Sequence, residues 1–473
     1  MKRVFFITAA IILIVTLFKI NQGEYFFKNT PNSSDYSKKI NDSRDISKNI
    51  TLKVPNNFKT INQALDYLKN KRLLNNSTVT ISISPGIYHE KEIVFNHPDG
   101  ERIKIIGSAT SGRKPNTNDN VLYPNAASRL NALKRYYRTI IQFEDTAGIT
   151  TGSASIGYVS DILLVGNKRG NNAHGISINK KGTGLSNGTI KLGNVGIYGF
   201  HNAGISIKNG GTILSKKGGL IISDNLDGIS VSEGGTVIAE KSIINNNQSV
   251  GVNIKYGGSV KINESYVAHS GNRGLYILQG GTVVASKANI SENSDIGVYI
   301  LYGGNADLSA SNINRNGSHG LEINYGGTAN AYNALITNNK KGGITVDYGG
   351  EVIAEKAQIL HNGDIGIAIA YNGSINAKMA AIDGNASFGV HGIYGGNFNL
   401  SKAFVGEKNN IKDKVKVKLK GNAFAYSEKP GNKSGRKNPN GSTGIGKSEL
   451  VSSSFSPKYN TKGNGNAFIG DPK

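Results

Sequence analysis

The sequence predicts an all-β protein, a single-stranded parallel β-helix wound in 23-residue coils with a short helix capping its N-terminal end. Three observations carry this. Glycine-rich marks recur every 23 residues at Gly234-Gly235, Gly257-Gly258, Gly280-Gly281, Gly303-Gly304, Gly326-Gly327, Gly349-Gly350, Asn372-Gly373 and Gly395-Gly396. The segments between them alternate apolar and polar residues in runs too brief for helices and too evenly spaced for hairpins. Asn, Tyr and aliphatic residues also fall at the same place in successive units, as they must where each unit packs only on its neighbours. The function of such a body sits on its elongated surface or at its ends.

The chain has 473 residues with no Cys and no Trp, so neither disulfides nor a thiolate metal site holds it together. Its net charge of +23 would attract nucleic acid, acidic polysaccharide or anionic lipid. The basic start Met1-Lys2-Arg3 and the apolar residues 4–18 form the n-region and h-region of an export signal. No small-x-small cleavage site follows, and Lys19 and Ile20 extend the run to about 17 residues. The expectation is a signal or membrane anchor over residues 1–20 and a polar linker over 21–49. The body is then exported, and is membrane-anchored, extracellular or periplasmic.

Residues 50–107 read as a cap with the first coils. In residues 55–71, Ile61, Leu65 and Leu68 share helical spacing, and Thr60 with Gln63 fits a capping box. Period-two alternation follows at Val79, Ile81 and Ile83, then a turn at Pro85-Gly86. Strands are expected over 91–95 and 102–106, with His97-Pro98-Asp99-Gly100 turning between them. Such a cap covers the apolar core and unpaired strand edges that a solenoid exposes at its end.

The segments Phe58-Lys59-Thr60-Ile61-Asn62-Gln63-Ala64-Leu65 and Ile83-Ser84-Pro85-Gly86-Ile87-Tyr88-His89-Glu90 resemble the opening of the pectin-lyase-like right-handed parallel β-helix superfamily. Pectin methylesterases and many phage tailspikes begin this way. The phrase from His97 to Gly107 is more similar to phage-tail and bacterial-surface members. The resemblance spans about residues 50–405 and implies a right-handed coil. It does not imply one activity, because the superfamily includes lyases, hydrolases, esterases, epimerases and adhesins.

The β-helix is expected over 108–405. In the coil that starts at Gly320, Leu321 and Ile323 turn inward while Glu322 and Asn324 face out, and Ala329 and Ala331 point to the core from a second strand. Asn recurs at 247, 293, 316, 339, 362 and 385, where stacked amides can bond along the axis and satisfy buried turn carbonyls. Tyr recurs at 256, 302, 325, 348, 371 and 394, either stacking beside the turn or forming an aromatic rail for sugars or bases. Aliphatic residues recur from 229 to 390. Regularity begins after about residue 200. Longer insertions fall near 108–142 and 179–200, so a walled pocket is expected toward the N-terminal half, and residues 108–134 are candidates to pack over a sheet.

On the outward face of the strand that follows the recurring glycine, only Glu322 and Asp347 bring two carboxylates together. They lie one coil and two residues apart, a backbone diagonal of roughly 8 Å. That suits an inverting glycosidase with Glu322 as acid and Asp347 as base. A lyase would instead need a base and a cation for the uronate carboxylate, for which Lys255, Arg273 and His269 are candidates. Lys255, Tyr276, Tyr299 and His391 are the candidate glycan contacts on this face. No metal or cofactor is expected.

Residues 406–425 read as a C-terminal cap and 426–473 as a basic tail; beyond residue 405 there are 14 Lys or Arg and 5 acidic residues. The tail lacks the interleaved aromatics of a nucleic-acid binder. The sequence therefore points to an exported, cell-envelope β-helix that binds polysaccharide, possibly anionic in charge, or another surface ligand as a structural or adhesive module. The alternatives are a hydrolase or lyase of acidic glycans and a phage-like tail or spike component. Oligomeric state is left open.

Overall fold

A computed structural model describes residues 45–117, 119, 122–179 and 187–406, together with short strands at Val417–Leu419, Phe424–Tyr426 and Phe468–Ile469. The apolar segment 4–18, nearly all of the linker and most of the basic tail lie outside the described residues. Among the described residues, no helix is long and apolar enough to cross a membrane.

The chain winds into a right-handed parallel β-helix with three sheets of 16, 13 and 13 strands. Sheet I is the largest and begins at Ile50–Val54, sheet II begins at Gly86–Glu90, and sheet III begins at Ile93–Phe95. In the regular shaft each coil gives one short strand to each sheet. The coil after Gly320 supplies Leu321–Asn324 to sheet III, Thr328–Asn330 to sheet I and Leu335–Thr337 to sheet II. Leu321 pairs with Ile344 and Ile344 with Ile367, so equivalent side chains are axial neighbours, and all three are fully buried. One hydrophobic column extends from Ile46 to Val405.

Two features fix the coil length. The turn from sheet III to sheet I places both Tyr325 (φ 51°) and Gly326 (φ 73°) in the left-handed region, the pairing that a type I′ turn requires. A Cβ on Gly326 would touch nothing, so glycine is there for its φ; one on Gly327 would lie 2.8 Å from the Ile300 side chain, so that glycine is there for space. At the turn from sheet II to sheet III the Asn ladder forms as expected. The side-chain amide of Asn316 donates to Asn339 Oδ1 at 2.9 Å, that of Asn339 to Asn362 at 3.0 Å, and that of Asn362 to Asn385 at 2.9 Å. Each Oδ1 also accepts the backbone N–H of the preceding ladder Asn, and the second amide hydrogen reaches a core carbonyl, as from Asn339 to Ile313 at 3.2 Å.

The N-terminal end departs from expectation in three places. Sheet I starts at Ile50–Val54, because its alternating Ile50, Leu52 and Val54 pair in register with Val79, Ile81 and Ile83. Helix α1 spans only Ile61–Leu68, since residues before it turn back through Asn57 Oδ1, which accepts the Lys53 N–H. Thr60 caps α1 by accepting the Gln63 N–H, but Gln63 returns its bond to the Lys59 N–H rather than to Thr60, a displaced capping box. The chain bends at Ser84-Pro85 and then continues as Gly86–Glu90, which pairs with Thr139–Phe143 across the whole first insertion.

His97 and Asp99 latch the cap to the first coil. His97 Nε2 lies 3.1 and 3.0 Å from the Leu68 and Lys71 carbonyls at the end of α1, while its Nδ1 accepts the Asp99 N–H, which fixes the neutral tautomer. Asp99 accepts from Arg72, Arg102 and the Leu73 N–H. The Arg72 bond above all holds its carboxyl well below the usual range.

The first insertion forms helix α2, Ala126–Tyr136, started by an Asn125/Ser128 capping box. Leu133 and Tyr137 bury against Leu163, Val165, Tyr198 and Ile221 of sheet II, and Arg129 forms a two-pronged ion pair with Asp224 at 2.8 and 2.7 Å. The insertion therefore covers sheet II and leaves the outer face of sheet III open along the shaft.

Candidate active site

Three outward columns make up the open face of sheet III. In each coil they are the residue just before the start glycine, the second residue after it and the fourth. The middle column runs Thr150, Ser177, Ser206, Ser230, Asn253, Tyr276, Tyr299, Glu322, Thr345, Ala368, His391, each in direct register with the next. The column before the glycine includes His174, Asp227, Arg273 and His319, and its side chains lean over the middle column. Asp227 accepts from Asn253 at 3.2 Å, Arg273 lies over Tyr276 and Tyr299, and His319 reaches Glu322.

Between the Arg273 and Asp347 rungs these columns converge on one cluster. Tyr276 and Tyr299 stack nearly parallel at 5.6 Å, and the Arg273 guanidinium sits 4.5 and 4.9 Å from their ring centres. Glu322 is engaged by both oxygens: Oε1 accepts from the Asn324 amide at 3.1 Å and Oε2 lies 3.1 Å from His319 Nδ1. The Asn324 amide also donates to the Tyr299 hydroxyl at 3.3 Å. A carboxylate on Nδ1 orients the ring and leaves Nε2 as the basic nitrogen, the arrangement of a positioned general base. Gly342 makes room for that ring, for a Cβ there would lie 2.8 Å from His319 Cδ2.

Burial pushes the Asp347 carboxyl up, and the nearby Glu322 charge adds to this, against a backbone N–H from Ala370 and the charge of His319. Of the two expected carboxylates, the one whose proton affinity rises is thus Asp347. Burial also raises the Tyr299 phenol, which holds it protonated. The cluster contains a cation, an oriented imidazole, a phenol and a carboxyl biased toward its neutral form.

The structure brings four of the six expected residues together: Glu322, Asp347, Tyr276 and Tyr299. His391 lies on the same column but three rungs beyond Glu322, about 14 Å away, against Phe388. Lys255 lies on the fourth-residue column four rungs before Asp347, about 19 Å away. Of the lyase candidates, Arg273 joins the cluster, whereas His269 sits at the end of a sheet II strand, 3.5 Å from Glu292. His319 is the residue that sequence reasoning missed. Its signal was its 23-residue-periodic place before the start glycine, the place also held by Asp227 and Arg273.

The Tyr ladder is formed from Tyr302 to Tyr394, with rings stacked at 4.6 to 5.3 Å. Each ring covers the face of the next, so inside the ladder no face is left on which a sugar could stack. The ladder is a turn brace rather than a rail. A cavity of about 940 Å³ does open at the N-terminal end of sheet III, between Val94, Thr150, Ser177, His174 and Lys208.

The family model for a right-handed β-helix region matches residues 203–351. No curated protein matches the sequence. Among solved structures the chain is similar to the A-modules of two mannuronan C-5 epimerases of Azotobacter vinelandii. For AlgE4 the identity is 14%, over 73% of this chain and 87% of that one, with a TM-score of 0.47. For AlgE6 the values are 14%, 75%, 92% and 0.43. The periplasmic alginate epimerase AlgG is similar at 14% identity over 72% of this chain and 76% of that one, with a TM-score of 0.25.

Proposed function

We propose that the protein acts on an acidic polysaccharide outside the cytoplasm, removing the proton from the uronate carbon that bears the carboxylate. The observation that carries this is the placement of the Arg273 guanidinium over two tyrosines, beside the His319–Glu322 pair. Arg273 neutralises the substrate carboxylate, which makes the adjacent C–H acidic. His319 Nε2 takes that proton, and its electron pair moves into the carboxylate. Arg273 and the protonated form of Asp347 meet the developing charge, as preorganised donors do in enolate chemistry. The phenol of Tyr299 then gives its proton either to the glycosidic oxygen as the C–O bond breaks, or back to the same carbon from the opposite face. The first outcome is a lyase and the second an epimerase.

Hydrolysis fits less well. Both Glu322 oxygens are already committed to Asn324 and His319, so Glu322 is held as a carboxylate rather than as the proton donor a glycosidase requires. The test is incubation of the full chain with alginate, pectate and a glucuronan in deuterated water. A lyase yields the conjugated unsaturated uronate seen by ultraviolet absorbance; an epimerase yields solvent deuterium at the epimerised carbon, seen by NMR. Reducing-end release without unsaturation would instead establish hydrolysis and overturn the assignment. Binding without any product would leave the structural or adhesive role.

A further inference from the structure

The fourth-residue column carries two lysines, Lys208 and Lys255, on the rungs between the cluster and the N-terminal cavity. They stand two rungs apart, about 10 Å along the axis. Elsewhere on the shaft exposed cations are matched: Lys217 and Lys261 pair with Glu240, Lys241 with Glu264, and Arg315 with Glu292. Among the described residues no carboxylate lies within ion-pair distance of Lys208 or Lys255. Unmatched cations on one face of an otherwise charge-paired solenoid form a track for an anion that the chain itself does not supply.

The cavity at the end of that track has the surface of a sugar site. Ser177 and Thr150 offer hydroxyls, Asn179 an amide, and Val94 an exposed apolar patch. His174 occupies the same column as His319, six coils earlier. Its Nδ1 accepts the Ala203 N–H at 3.2 Å, and burial, with Lys208 nearby, lowers its pKa to about 4. The ring is therefore neutral, with its proton on Nε2 as a donor. Beyond it the sign of the face changes: Glu92 accepts from Thr150 at 2.7 Å, and Asp145 lines the same rim. An anionic polymer is attracted up to the Lys208 rung and repelled past it.

Resting on the reading of the cluster as a polyuronate site, we infer that the polymer lies parallel to the solenoid axis, with Lys255 and Lys208 binding successive carboxylates and the cavity beside His174 and Ser177 as its far subsite. The track from the Ser177 rung to the Glu322 rung is about 29 Å long. The protein thereby acts inside long chains and holds short ones poorly.

The experiment measures the affinity of the full chain, by calorimetry, for oligouronates of increasing length and for the same oligomers with their carboxyls reduced to alcohols. Affinity rises with length until the oligomer spans the track, and the reduced series does not show this rise. Lys208→Gln and Lys255→Gln each weaken polymer binding about two- to fivefold, and weaken binding of the shortest oligomers less. The loss shrinks in high salt. Lys287→Gln, which removes the same charge from an exposed turn off this face, shifts neither, and thermal melts verify that each variant is folded. Equal losses at every length, or none, would overturn the axial track while leaving the chemistry of the cluster standing. Conversely, a length-dependent affinity in a protein whose Arg273→Gln variant turns over normally would uphold the track and remove the proposed mechanism. No binding of any polyuronate by the native chain defeats both.

Discussion

The buried Asn ladder and the open face of sheet III run through the same coils and follow opposite rules. From Asn293 to Asn385 the ladder repeats one residue, each rung bonded to the next, because a gap would leave donors and carbonyls without partners in a dry interior. The outer face changes at every rung, from Asn253 through Tyr276, Tyr299 and Glu322 to Thr345. Its residues touch solvent and need no copy of themselves above and below. Sameness along the axis marks what holds the solenoid together; departure from sameness marks where it does chemistry.

The sharpest way to break that comparison is to mutate each side and read both stability and activity. His319→Gln and Arg273→Gln are expected to lower turnover about 10²- to 10⁴-fold, the range for loss of a general base or a charge stabiliser. Their melting temperatures should stay close to that of the native chain, since both side chains are partly exposed. A large loss of stability with either would place them with the scaffold instead. Asn339→Leu is expected to do the opposite. It strands the Asn316 N–H and the Ile313 carbonyl, and should cost roughly 3–5 kcal/mol by denaturant titration. A change below about 1 kcal/mol would show that the ladder is ornamental.

The same contrast explains what the sequence could reveal. The aliphatic, glycine and Asn periods announce themselves by repetition, so coil length, core and the outward columns were readable from residues such as Leu321, Ile344 and Ile367. Glu322 and Asp347 were readable as the only paired carboxylates on that face. His319 was not, because a single histidine in a turn has no period, and only its lean over Glu322 gives it meaning. The start of sheet I at Ile50–Val54 was hidden for another reason. Its partner, Val79–Ile83, lies beyond an intervening helix, and period-two alternation over five residues does not say what it pairs with. Helix α2 had good helix formers and an Asn125 cap, but its docking on sheet II depends on Arg129 meeting Asp224, 95 residues away.

The irregular cap offers a third, smaller break. Asp99→Asn removes the anion shared by Arg72 and Arg102 and should cost roughly 2–3 kcal/mol. Because the folded carboxyl is depressed below its unfolded value, its contribution is present above the unfolded pKa and is lost as pH falls through the folded one. Native and Asp99→Asn stabilities should therefore converge in strong acid. Melts that stay equally separated from neutral pH to strong acid would assign the loss to packing rather than to charge.

Asp347 gives the smallest effect and the most discriminating one, because on the chemical face the sign reverses. Its carboxyl is raised by burial first and by Glu322 second, so the folded protein holds the proton more tightly than the unfolded chain does. Above that raised value an ionised Asp347 costs stability, and the cost is relieved as pH falls through it. Asp347→Asn should thus stabilise the protein at neutral pH, by up to about 1 kcal/mol given its partial exposure, and the gain should vanish in acid. Turnover should fall in the same variant, since an amide donates a weaker hydrogen bond to the developing charge than a carboxylic acid does. Thermal melts at neutral and acidic pH, paired with rates on the same samples, decide the matter. A variant that loses stability at neutral pH would mean that Asp347 is kept for the fold, and the boundary between ladder and face would have to be redrawn one rung earlier.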